Sequence, residues 1–490
     1  MHGLTARTVT TAVVVALGAA GLVPLTAATA AAAPAGIADD FNGDGYRDVA
    51  VGAPFANDGG FTDAGAVVVA YGSPTGPHAG ATRTVSQSTA TVVGTSAEGD
   101  RFGSALAAGD FDGDGYGDLA VGAPGEDLGS GRLDEGTVTV LWGGATGLNG
   151  STKLSSPGGT RGHGQRIVAG DFDGDGRDDL VVGSTDAPRL HVYLGGTARV
   201  PSLGSRFAFL LPESHFDGAF GPSALGAGDI DGDGTDDLVV ASNSPGAPTV
   251  PRSVVYLSPG VPGGATYAGD AGPGFSTAVG DLDGDGYDDV VTGNAYEPGE
   301  GIGGATLGGN ITVAHGSATG LDSARGIRRI TQDTPGVPGA AEARDRFGAT
   351  LAVGDQNGDG YAEIAVGSPR ETIGADAETG MVTVVPGSAQ GPAPAASYGV
   401  HQDVTGVPGG NEAYDEYGHG LSFADTDADG HADLLIGAPG EDGHNGAVTS
   451  LRGTSTGYAT TGGVMVKAAA TGLDITHDEQ VNAYWGHVIS

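Results

Sequence analysis

Seven short segments of this chain place oxygen-bearing side chains at fixed intervals. The first is Asp40-Phe41-Asn42-Gly43-Asp44-Gly45-Tyr46-Arg47-Asp48; the others begin at Asp110, Asp171, Asp229, Asp281, Asp355 and Asp425. Acids or amides stand at positions 1, 3, 5 and 9 of each, and glycine stands at position 6. Glycine reaches positive φ without a Cβ clash, so the backbone can bend there around whatever the oxygens hold. Such a set suits a hard cation. Calcium takes six to eight oxygens at roughly 2.3–2.6 Å, whereas magnesium gives up its water reluctantly. With a backbone carbonyl expected from position 7, the candidate ligands of the first two turns are Asp40, Asn42, Asp44, Tyr46 and Asp48, then Asp110, Asp112, Asp114, Tyr116 and Asp118. Those of the third and fourth are Asp171, Asp173, Asp175, Arg177 and Asp179, then Asp229, Asp231, Asp233, Thr235 and Asp237. The fifth offers Asp281, Asp283, Asp285, Tyr287 and Asp289; the sixth Asp355, Asn357, Asp359, Tyr361 and Glu363; the seventh Asp425, Asp427, Asp429, His431 and Asp433. Up to seven Ca2+ ions are expected, with weaker sites where Asn42 or Asn357 replaces a charge and where Glu363 replaces the final Asp. A helical calcium module does not fit: position 12 holds Val51, Val121, Val182, Val240, Thr292, Val366 or Ile436 instead of Glu, and a strand pattern follows each turn.

The elements around the turns repeat with them. The turns are spaced 70, 61, 58, 52, 74 and 70 residues apart, which makes the chain an array of like units. In the second unit, Phe102-Gly103 precedes a small-residue segment, Ser104 to Gly109, and then the turn. Leu119 to Ala123 reads as a short strand ended by Pro124; Thr137 to Trp142 is a β-branched strand; a weaker fourth strand is expected near Ser151 to Ser155. The opening motif recurs as Phe220-Gly221 and Phe347-Gly348, and in altered form as His163-Gly164 and Tyr417-Gly418. The Gly-Ala-Pro ending recurs at 52–54 and 437–439 and weakens in the middle units. Four strands per unit, seven units and few helices favour a closed β-propeller over two packed sheets: an all-β fold. The first unit has no opening motif, and Tyr484-Trp485-Gly486 resembles the missing one. Residues 484–490 are therefore expected to close the ring on the first unit, a truncated eighth unit being the alternative.

Together these landmarks resemble FG-GAP repeats, the units of the integrin α-chain propeller, over about residues 36–490. The resemblance implies a seven-bladed β-propeller of four-stranded blades, with calcium in the loop between the first two strands of a blade. Only the scaffold carries over. There is no inserted adhesion domain with an Asp-x-Ser-x-Ser motif and no Arg-Gly-Asp tripeptide.

Bulk composition narrows the partners. Net charge is −39, and 26 of the 60 acids lie in the turns, where they should repel one another unless cations bind. Nucleic acid is not an expected partner, because only Lys153 and Lys467 supply lysine charge and no basic patch stands out. There is no cysteine, so something other than disulfides must staple the fold if it is exported. Export is indicated by residues 1–33: Arg7, an apolar run from Val9 to Val23, and small residues from Ala28 to Ala33. The domain expectation is a secretory signal over 1–33 and a propeller over 34–490, with no membrane span in the mature chain; an uncleaved anchor is the alternative.

No Gly-x-Ser-x-Gly, His-Glu-x-x-His or phosphate-loop motif occurs. Loop histidines such as His215, His401 and His477 read as solvated, and Trp142 and Trp485 as packing residues. The chain is therefore expected to be a secreted, calcium-stabilised binding or adhesion scaffold for an extracellular protein or glycan, and not an enzyme. The alternative is a hydrolase or lyase acting on polysaccharide or phosphoester through a pocket on a propeller face. Segments 338–345 and 408–415 are candidate recognition loops, with a structural crossover as the competing reading.

Overall fold

In the computed structural model, seven four-stranded antiparallel sheets follow one another along the chain. It describes residues 37–475 and 484–490, apart from 130, 132, 157, 159, 187–188, 198, 200–205, 213, 218–219 and 460; the expected signal over 1–33 lies outside them. The second blade shows the plan: Leu106–Gly109, Asp118–Ala123, Thr137–Leu141 and Ser151–Ser155 pair in that order. The two middle strands are buried along their whole length, because a neighbouring blade covers each face. That is why Leu119 to Ala123 reads as an apolar run instead of alternating, and why even Thr137 and Thr139 are fully buried. Inner strands are short and half-buried. One from each blade lines an axial channel of about 350 Å³, ringed by residues such as Leu106, Ile167, Leu225, Thr277, Leu351, Leu421 and Ile489.

Each junction between neighbouring blades holds its own apolar cluster. Between blades one and two, Val67, Val69 and Val85 meet Phe102, Leu119, Val121 and Leu141. Between blades seven and one, Leu435, Val448 and Val466 meet Val49, Val51, Val68 and Trp485. The seven-bladed ring is thus packed all the way round.

Two glycines explain why the opening motif and the Gly-Ala-Pro ending recur together. A Cβ on Gly122 would lie 2.0 Å from the carbonyl oxygen of Gly164 in the next blade. The same close approach pairs Gly52 with Gly103 (2.1 Å), Gly293 with Gly348 (2.1 Å) and Gly367 with Gly418 (2.2 Å). Backbone therefore packs directly on backbone at these junctions, and no other residue fits. Gly437 meets Gly486 in the same way (1.8 Å). Beyond it, Val488–Ile489 pairs antiparallel with Val51 and Gly52 and forms the inner strand of the first blade.

The fourth blade departs from the expected motif. Phe220 is 39% exposed, and the aromatic that fills the junction is Phe216, packed on Leu190, Val192 and Leu238. The reason is a one-residue slip: Gly183 faces Pro222, not Gly221. Spacing carried this signal, since Phe220 stands nine residues before its turn where Phe102, Phe347 and Tyr417 stand eight before theirs.

Gly122→Ala should lower stability by about 1–3 kcal/mol through overpacking against Gly164. Gly144→Ala, where nothing lies within 4 Å of the added methyl, should leave it unchanged. Thermal melts of the two variants check this; equal melts would remove the backbone-on-backbone account.

Candidate metal centres

Six of the acidic turns join the inner strand of a blade to its second strand, and the first turn leads into the second strand of its blade, so all seven lie on one face of the ring. The fold of the turn is written in its own side chains. In the second turn, Oδ1 of Asp110 accepts the amides of Gly113 (2.9 Å) and Asp114 (3.1 Å), and Oδ2 accepts that of Gly115 (2.9 Å). Gly115 takes φ 88°, and its six counterparts lie between 82° and 91°. At position 2, Phe41, Phe111, Phe172, Ile230 and Leu282 are fully buried and anchor the turn to the junction core.

Position 9 is the knot. Asp118 is fully buried; one carboxylate oxygen accepts the Phe111 amide (3.1 Å) and the other the amide of Gly143, just past the third strand (2.8 Å). Asp48, Asp179, Asp237, Asp289 and Asp433 bridge the same two segments. Glu363 differs: it accepts from Gln356 (2.8 Å) and from the side chain of Asn357 (3.0 Å). Burial pushes Asp48 and Asp118 up to about 8, Asp179, Asp237 and Glu363 to about 7, and Asp433 to about 6. The backbone amides offset only part of that desolvation.

The turns fit a cation by geometry as well as by composition. Carboxylate oxygens of positions 1, 3 and 9 lie within 4.8 Å of one another in the second turn (Asp110, Asp112, Asp118), the third (Asp171, Asp173, Asp179) and the fourth (Asp229, Asp231, Asp237). In the fifth, Asp281, Asp283 and Asp285 converge. Oδ1 of Asp283 is buried with no hydrogen-bond partner, an acceptor left for a cation to satisfy. The position 5 acids stand at the exposed lip.

Two features of these sites lay beyond reasoning on single turns. First, the turns are chained around the ring. From the second turn to the seventh, the position 8 amide donates to the position 1 carbonyl of the turn before it, as in Gly117 to Asp40 (2.9 Å) and Asp236 to Asp171 (2.9 Å). In three turns the position 8 side chain adds a second link: Asp178, Asp236 and Asp288 accept the amides of Asp110, Asp171 and Asp229. Gly109, Gly170 and Gly228 leave room for those carboxylates. Second, guanidinium groups sit on the turns. Arg199 contacts Asp112 and Asp114, Arg325 contacts Asp283, and Arg452 contacts Asp427. They are counter-charges that a bound ion must share.

Segments 338–345 and 408–415 are crossovers between blades. Asp345 and Asp415 cap the amides of Glu342 (2.6 Å) and Glu412 (2.8 Å). Beside them a buried Gln–Glu pair recurs: Gln332 with Glu371 and Gln402 with Glu441, matched in blade two by Gln87 with Glu126. Lys153 and Lys467, the chain's two lysines, are spent on Glu126 and Glu441. Trp142 and Trp485 are both buried. The opposite face, where the opening motifs lie, holds a cleft of about 340 Å³ lined by Phe275, Tyr296, Arg346, Arg370 and His419. There Arg346 stacks over Tyr296 at 5.5 Å and holds Glu300 through two nitrogens at 2.6 and 2.7 Å.

The FG-GAP repeat model matches residues 33–70, 102–141, 163–200, 221–256, 273–313, 347–385 and 417–451, together more than half of the chain. The chain is similar to phosphatidylinositol-glycan-specific phospholipase D of Rattus norvegicus, at 39% identity over 153 residues, covering 30% of this chain and 18% of that protein. It is also similar to integrin alpha-IIb of Homo sapiens, at 38% identity over 164 residues, covering 31% and 15%. The matched stretch thus spans less than a fifth of these relatives. Among solved structures, an exotype rhamnogalacturonan lyase aligns with a TM-score of 0.42 and 15% identity over 86% of this chain and 72% of that one. The expectation of a non-enzyme is corrected by these findings, because the relatives include a protein named as a phospholipase. The physical reason is that linear motifs cannot register a cleft built from residues as far apart as Phe275 and His419.

Two outcomes follow from this geometry. With cations chelated, Asp48, Asp118, Asp179, Asp237, Glu363 and Asp433 have native pKa values above their unfolded ones. Their contribution to stability is present below about pH 4 and is lost as pH rises through roughly 6–8. Saturating calcium should flatten that decline, since the ion needs ionised carboxylates. Melting temperatures between about pH 5 and 8, with chelator and with calcium, decide it; a chelated protein that gains stability with pH contradicts it. Arg199→Gln should tighten calcium at the second turn by about two- to fivefold, the scale of an exposed ion pair, as read by calorimetry.

Proposed function

Because the chain belongs to the FG-GAP repeat family, we propose that it is a calcium-stabilised β-propeller that binds an extracellular protein or glycan. The convergence of three carboxylates in each of several turns is the observation that carries the calcium part of this reading. Calcium neutralises the acids that the fold buries and so holds the turn face of the ring together. Extracellular calcium modules bind at about 10⁻⁴–10⁻³ M. A site a hundredfold tighter than ambient calcium would contribute about 2.7 kcal/mol.

Secretion is part of the proposal and rests on the signal-like residues 1–33. No helix among the described residues is long and apolar enough to cross a membrane. The binding surface is assigned to the face opposite the turns. Its aromatic and guanidinium groups around Phe275, Tyr296, Arg346 and Arg370 suit stacking on a sugar ring or pairing with a carboxylate. A second reading is favoured by the same cleft: His419 beside Arg346 and Arg370 is a set that could move a proton on a bound polysaccharide or phosphoester.

The test is a glycan and protein array probed with the full chain, with and without calcium, followed by product analysis of every captured ligand. Calcium-dependent capture that Arg370→Ala weakens supports binding through this face. Product formation lost in His419→Ala supports the second reading. Capture unchanged by chelator and by cleft substitutions would refute both.

A further inference from the structure

The fifth turn differs from the other six in being faced by a buried imidazole. The residue just before the glycine or serine that follows the third strand is Tyr71, Trp142, Leu194, Leu257, Pro386 or Arg452 elsewhere; in the fifth blade it is His315. That position overlooks the turn, as Arg452 shows by contacting Asp427 of its own blade. His315 is 5% exposed, and its Nδ1 lies 3.0 Å from Oδ1 of Asp289 and 3.5 Å from Oδ2 of Asp283. No hydrogen bond is made by that nitrogen or by Oδ1 of Asp283, although both are buried. His315, Asp283 and Asp289 form the one fully buried cluster among the convergent groups named here, with ligand atoms within 4.8 Å of one another.

The surroundings hold the three groups in place. Asp289 is oriented by the amides of Leu282 (3.3 Å) and Gly316 (3.0 Å). The imidazole is backed by Gly391 of the sixth blade, where a Cβ would stand 2.7 Å from Cε1 of His315. A neutral imidazole nitrogen is a poor ligand for calcium, which takes oxygen, and a good one for zinc, copper, iron or nickel. Separations of 3.0 and 3.5 Å bracket the edge of about 3.3–3.4 Å of a tetrahedron with usual zinc bond lengths.

We propose that the fifth turn is a mixed nitrogen–oxygen site for a borderline divalent metal, held by His315, Asp283 and Asp289, and not a calcium site like the others. The proposal rests on the calcium reading only for the other six turns. Arg325, a third exposed and in contact with Asp283, is the group the incoming ion displaces or shares. The competing account is a plain imidazolium–carboxylate cluster that takes no metal.

The full chain dialysed against micromolar zinc in millimolar calcium separates the two, with both metals counted by elemental analysis. About one zinc per chain should remain, and a cobalt(II) derivative should show visible bands of nitrogen–oxygen coordination. His315→Gln should weaken zinc by at least about tenfold while calcium uptake persists. His431→Gln, half-buried at position 7 of the seventh turn, where the backbone carbonyl and not the imidazole is the expected calcium ligand, should leave zinc unchanged, and Arg325→Ala should strengthen it. Zinc absent from the wild-type chain, or equal in His315→Gln and wild type, overturns the proposal. A chain that takes up no calcium at all refutes the calcium reading instead, and the zinc count still stands on its own.

Discussion

The structure depends on a carboxylate buried where three segments meet. At position 9 of each turn an acid is taken out of water to tie the start of the turn and, in all but the sixth, the end of the third strand to the second strand. Two backbone amides hold it, which is enough to orient the group and too little to replace its hydration. Around it the other acids of the turn add repulsion. Burial and repulsion together favour a proton or a cation beside this group. The turns are also linked one to the next around the ring, so what relieves one turn braces its neighbour.

This explains the segregation of the two faces. On one, seven turns repeat almost without variation because their geometry is dictated by the buried acid and the left-handed glycine. On the other, the blade ends differ: Arg101 stacks on Phe55, Arg346 on Tyr296, and His419 packs against His487. Variation is permitted there because five of the seven junctions are fixed beneath it by glycine against glycine.

Much of the fold was legible because the chemistry is local and repeated. The turn, the β-branched third strand and the fourth strand at Ser151–Ser155 each carry their signal within a few residues. The pairing of Gly122 with Gly164 was legible only as co-occurrence, since the contact crosses from blade to blade. The slip at Phe220 was visible in the spacing but is decided by which aromatic reaches the junction core. Asp178, Asp236 and Asp288 looked like surplus acids beside the turns; their role needs the neighbouring blade. Arg199 acts on a turn some 85 residues away in the chain, and no pattern in the sequence announces it.

The strand Val488–Ile489 gives the ring a seam. The first blade cannot be finished until residue 489 has been synthesised, so the barrel of sheets must wait, unfastened, through most of its own folding. Contacts across that seam have the highest separation in the molecule and carry the largest loop-closure entropy. The joint between residues 51–52 and 488–489 is accordingly where the ring would first open under load and last zip shut on refolding.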